Sequence, residues 1–180
     1  MSNLWYNLHV PKQAAGADIV YFDLFNVAGS GYQLNLHSVV PVVSGAVAVT
    51  GTLGVDLFLT RTTAVGTGGT AATAEGTDKT AATFSCINGS QPLDLTKVSA
   101  RLTPSGGATA GAVMGWTCVF TEETNSAAYT PNMNLVKGWD DDSVPSLPVQ
   151  PGTGIRVIQG SIASTGNIGF HVKFSVQPRA

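Results

Sequence analysis

The stretch "GNIGFHVKFSV", Gly166 to Val176, alternates without a break. Ile168, Phe170, Val172, Phe174 and Val176 are large and apolar, while Gly169, His171, Lys173 and Ser175 between them are small or polar. Successive side chains of a strand point to opposite faces, so such a run gives one face to a core and the other to water. The pattern predicts a half-buried strand of about 30 Å, at roughly 3.4 Å per residue. Phe170 and Phe174 are expected in the core, with His171 and Lys173 facing solvent or a neighbour.

The same period recurs upstream. "DIVYFDLFNV" places Val20, Phe22 and Leu24 on one face, and after the turn "AGSGY" the run "YQLNLHS" sets Tyr32, Leu34 and Leu36 opposite Gln33, Asn35 and His37; the two are expected as adjacent strands. In "VVPVVSGAVAV", Pro41 has no N–H to donate and belongs at a sheet edge or bend. "GVDLFLTRT", "FSCI", "KVSARL" and "AVMGWTCVFTEE" continue the strand pattern. Apolar residues on both faces of "VMGWTCVF" predict a central strand covered on both sides, with Trp116 in the core. Residues 64–82 are small, polar and Gly-rich, a long excursion. "TNSAAYTPNMNLVKGWDDDSVPSLPVQPGTG" is a second irregular stretch, with a short helical turn expected near Pro131 to Val136. "GIRVIQGSIAST" and the opening stretch are the two final strands, turned at Thr165 to Asn167.

Charged residues are only 11% of the 180, against a usual figure of about 25%, which disfavours free-standing helices because their exposed faces normally carry Lys and Glu. Short strands between Gly/Pro-rich turns point to an all-β fold: an antiparallel β-sandwich, in jelly-roll form, with long Gly/Thr-rich loops. One such domain is expected over residues 17–180. Residues 1–16 are read as an N-terminal arm. Leu4, Trp5, Tyr6 and Leu8 give it too much apolar surface for a free tail, so it should pack on its own subunit or the next. With Trp139, these are the candidate interface residues, although Trp139 could equally fold back on its own core.

A net charge of −2 and nine scattered Lys and Arg offer no basic patch, which argues against nucleic acid. The start "MSNLWYNLHVPKQ" is not a charged segment followed by an apolar one, and no later run supplies 18 uninterrupted apolar residues, so no membrane insertion is expected. Cys86 and Cys118 form no CxxC and are read as free thiols. His9 lies in the arm, and His37 and His171 on polar strand faces, positions that suit solvent-facing residues better than catalytic bases. No GxSxG, HExxH or kinase-like signature occurs, and "GTGGT" at Gly66 to Thr70 lacks the Lys-Ser/Thr of a phosphate loop. Glu122 and Glu123 read as a solvated strand end. Asp140, Asp141 and Asp142 could offer oxygens to a cation, but without the spaced pattern that wraps one. Asn88-Gly89-Ser90 matches a glycosylation sequon by chance. No catalytic residue, cofactor or metal is therefore assigned, leaving two classes: a structural protein working through its faces, or a module whose Trp139 or Tyr129 stacks on a sugar.

"DLFLTRTTAVGTGGTA", "CVFTEETN" and "PVQPGTGIRVIQGSIASTGNIGFHVKFSV" resemble segments of small virion proteins of tailed bacteriophages, in which a Thr/Ala/Gly-rich sandwich closes with a G-I-x-V-x-x-G segment and a G-x-x-G-F-x-V-x-F strand. The likeness spans about Asp23 to Val176. It implies a non-enzymatic virion part, made in the host cytoplasm and carried on the outer surface of the head. Capsid decoration or cement proteins fit best: such a subunit would bind the major capsid protein and copies of itself, as a trimer or dimer. A tail or baseplate subunit, or a host-glycan-binding domain, is the alternative.

Overall fold

The computed structural model describes residues 3–44, 53–74, 82–89, 91–106, 110–121, 134–136, 146–164 and 166–179. Twelve strands are formed: β1 (Leu4–Ala14), β2 (Val20–Asn26), β3 (Tyr32–Ser44), β4 (Leu53–Thr62), β5 (Thr70–Ala71), β6 (Thr73–Ala74), β7 (Thr83–Cys86), β8 (Val98–Leu102), β9 (Ala110–Thr121), β10 (Leu147–Val149), β11 (Thr153–Gln159) and β12 (Asn167–Pro178). They build two six-stranded sheets, sheet A in the order β10-β3-β12-β1-β7-β6 and sheet B in the order β5-β8-β2-β11-β4-β9. All pairings are antiparallel except β6 with β7. The fold is an all-β sandwich, and its core lies between the two sheets.

The core follows from the alternation. Phe170 and Phe174 are buried, Phe170 against the rings of Tyr21 and Phe22 and Phe174 against Tyr6 and Phe84. Each such side chain contributes about 1.5–3 kcal/mol of hydrophobic stabilisation. In β3 the period slips once. Leu36 and Val39 are both buried, and the register against β12 shifts between them, so His37 and Ser38 share the outer side as a bulge.

Four expectations are corrected. The arm expected over residues 1–16 packs on its own subunit, one of the two alternatives, but as part of the sandwich rather than apart from it: β1 is an interior strand of sheet A, paired with β12 on one side and β7 on the other. Tyr6 and Leu8, candidate interface residues, consequently lie in the chain's own core, while Leu4 packs partly buried against it. Second, β2 and β3 are not neighbours but belong to opposite sheets. Gly29 and Gly31, both at positive φ, let residues 27–31 cross over. The buried Asn26 side chain fixes the crossing by donating to the carbonyls of Tyr32 and Val149 and accepting from the Ser30 hydroxyl. Third, β9 is the edge strand of sheet B rather than a central one. Fourth, Trp116 on β9 is 58% exposed and not in the core. The opposing sheet covers only the face carrying Thr117 and Val119; Trp116 points the other way.

Pro41 pairs with Phe170 on one side, and β10 reaches only from Leu34 to Leu36 on the other. It therefore sits on a stretch of β3 that β10 does not cover, where a missing N–H is harmless. Nearby, residues 134–136 close the side of the sandwich. Val39 N–H donates to the Asn134 side chain and Leu135 N–H to the Val39 carbonyl, with the Leu135 side chain buried. Gly115 of β9 is required there, since a Cβ would strike the Leu135 carbonyl oxygen.

Candidate binding surfaces

Sheet B turns a row of apolar side chains outward. Register places Trp116 opposite Phe58, Phe58 opposite Ile158, and Ile158 opposite Val20, so one line crosses four strands from β9 to β2. Phe58, Ile158 and Val20 are half-buried and Trp116 is open. Side chains directly opposite one another on neighbouring strands are close enough to make a continuous strip. Val113, 58% exposed on β9, and Ile162, 69% exposed beyond β11, add apolar surface to this sheet's strands and connections.

The strip runs at Val20 into an open cleft of about 510 Å³, lined also by Asp18, Ile19, Pro104, Ser105 and Arg156. Asp18 and Thr103, the two positive-φ non-glycine residues among the described residues, both line it. A β-branched residue such as Thr103 in that region is strained, and strain of this kind concentrates at sites with a task. Arg156 donates through Nε to Thr60 Oγ1 at 3.2 Å, which aims the guanidinium along the sheet surface.

Beside the cleft, Asp23 is buried and holds the 64–74 excursion down on sheet B. Its carboxylate accepts from Gly66 N–H at 2.6 Å and Arg101 N–H at 2.8 Å. Gly66 admits this contact because a Cβ would meet the Asp23 carboxylate and Pro104. Burial pushes the Asp23 pKa up, against the opposing pull of the two N–H donors and the Arg101 charge.

Sheet A presents a different outer face. Trp5, Asn7 and His9 of β1 lie opposite Ser175, Lys173 and His171 of β12. Trp5 stacks on His37 with ring centroids 4.2 Å apart, and the Lys173 ammonium stands 5.0 Å from the Trp5 ring centre. His37 Nε2 meets Ser175 Oγ at 2.9 Å, and the rings of His9 and His171 are 5.4 Å apart.

Of the residues singled out in the sequence, Trp5 alone of the interface candidates joins a polar outer cluster. Trp139, Asp140 to Asp142, Tyr129, Glu122 and Glu123 lie outside the described residues, as does the first half of the turn expected near Pro131 to Val136. Asn88 of the sequon caps β1 by accepting from Trp5 N–H and donating to the Asn3 carbonyl. Cys86 and Cys118, both free, sit in opposite sheets, and burial with the neighbouring Asp56 carboxylate raises the Cys118 pKa. Among the described residues no three His, Cys, Asp or Glu side chains converge as a metal cluster. The apolar strip was missed because its members sit next to core positions, on the opposite face of four separate strands, and only register brings them into line. Comparison with protein-family models, with curated proteins and with solved structures finds no match to this chain.

Proposed function

We propose that the chain is a non-enzymatic structural subunit of a tailed-bacteriophage particle, a decoration or cement protein that binds the major capsid protein on the outer head surface and joins copies of itself as a trimer or dimer. Beyond the segment resemblance, the observation that carries this reading is the outward strip Trp116–Phe58–Ile158–Val20. Tryptophan is enriched among residues that dominate binding energy, and a rigid sheet loses little conformational freedom on docking. The mechanism is mass action: a partner that binds only the assembled shell stabilises it, and repeated sites add avidity.

Co-sedimentation of the purified protein with empty phage heads, with tails and with host cells tests this reading. Saturable binding to heads is expected. Trp116→Ser should weaken it by roughly 30-fold, the size of a 2 kcal/mol hot spot, while its thermal midpoint stays near that of the parent because the side chain is exposed. Binding to tails or cells alone would defeat the decoration role. One observation favours a second reading, recognition of a host glycan. The apolar strip ends, at Val20, in a cleft carrying Asp18 and Arg156, apolar and charged groups set side by side.

A further inference from the structure

We propose that the outer face of sheet A is a docking surface for an acidic polypeptide segment, Asp and Glu side chains of a neighbouring protein, and that it holds that segment more tightly as pH falls through the histidine range. The argument begins with composition by sheet. The six strands of sheet A contain all three histidines of the chain, Lys12 and Lys173, and none of its eleven Asp and Glu. These basic groups share one side. Tyr6, Leu8, Val10, Phe170, Val172 and Phe174 fill the core side, so His9, His171 and Lys173 must point away from it, and the bulge in β3 turns His37 the same way. Lys12 is exposed in the β1 bulge beside Gly169. Strands β6, β7 and β10 add no charged side chain to this face. Charge complementarity therefore selects an anionic partner.

The kind of anion follows from Trp5. Its ring already stacks on His37 and lies beneath the Lys173 ammonium, so the contacts a base or a sugar would seek are made by the protein itself. What the face offers an incoming group is N–H donors and positive charge, the complement of carboxylates. The pH response follows from the count. Lysine side chains keep their charge across the histidine range, whereas an imidazole gains one as pH falls through it. Burial and the facing His171 lower the pKa of His9, and an approaching carboxylate favours its charged form.

The test is fluorescence anisotropy of a labelled aspartate decapeptide with the full chain at about pH 5.5 and 7.5, where the probe stays ionised. Binding at the lower pH is expected to be tighter by about fivefold, the sum of two surface ion pairs to His9 and His171. The double substitution His171→Gln and Lys173→Gln, at two exposed positions, should weaken binding at both pH values and cut the ratio between them to about twofold, with an unchanged circular dichroism spectrum. Arg179→Gln, beyond the end of β12, should leave it intact. Equal affinity at the two pH values would overturn the proposal. So would a double variant that binds like the parent, a single-stranded DNA of equal charge that binds as tightly, or self-association at pH 5.5 that accounts for the signal.

Discussion

Phe170→Asp is expected to leave no folded protein. Phe170 is 1% exposed, and the rings of Tyr21 and Phe22 lie 5.3 and 5.4 Å from its own, one sheet against the other. Truncating such a side chain to alanine costs about 3–5 kcal/mol, and aspartate adds a carboxylate with no partner in an apolar layer. Domains of this size commonly hold only about 5–15 kcal/mol in total. Expression in the insoluble fraction, or a soluble chain without a cooperative urea transition, is the expected result. A soluble variant with a native transition would show that the outer and inner faces of β12 had been exchanged.

Asp23→Ala should lower stability by about 3 kcal/mol and release the 64–74 excursion, because two N–H groups lose their acceptor at a site closed to water. Urea titration would give the first effect and faster amide exchange at Gly66 the second; an unchanged midpoint would mean that water replaces the carboxylate at no cost. A pH signature separates charge from hydrogen bonding. Since burial raises the Asp23 pKa above the ordinary 3.8, the native state keeps this proton when the unfolded chain has already lost it. The stability contributed by this group is therefore present below 3.8 and lost as pH rises through the folded-state value. Asp23→Asn, which cannot titrate, should abolish that component of a stability profile measured from acid to neutral pH.

Strand positions were legible in the sequence because alternation is a local signal. Tyr6, Leu8 and Val10 alternate with Trp5, Asn7 and His9 as cleanly as the residues of β12 do, so β1 was visible too, hidden only by the assumption that an apolar start must be an arm. Which sheet a strand joins was not legible. The step from β2 to β3 has the look of a hairpin, and the Asn26 network that sends it across depends on Val149, far along the chain. Trp116 misled for a related reason. An apolar residue on the second face of a strand reads as burial, whereas in a two-layer sandwich the opposing sheet covers one face of each strand, and which face that is depends on long-range packing.

The placement of β12 bears on how the chain is made. Sheet A needs it at the centre, hydrogen-bonded to β3 and β1 at once, yet it follows all the other described strands in the chain. At translation rates of about 5–20 residues per second, β1 waits on the order of ten seconds for its main partner. A product cut short before Asn167 would leave β1 and β3 without the strand between them. Synthesis through β12 is in this way a condition for sheet A to close.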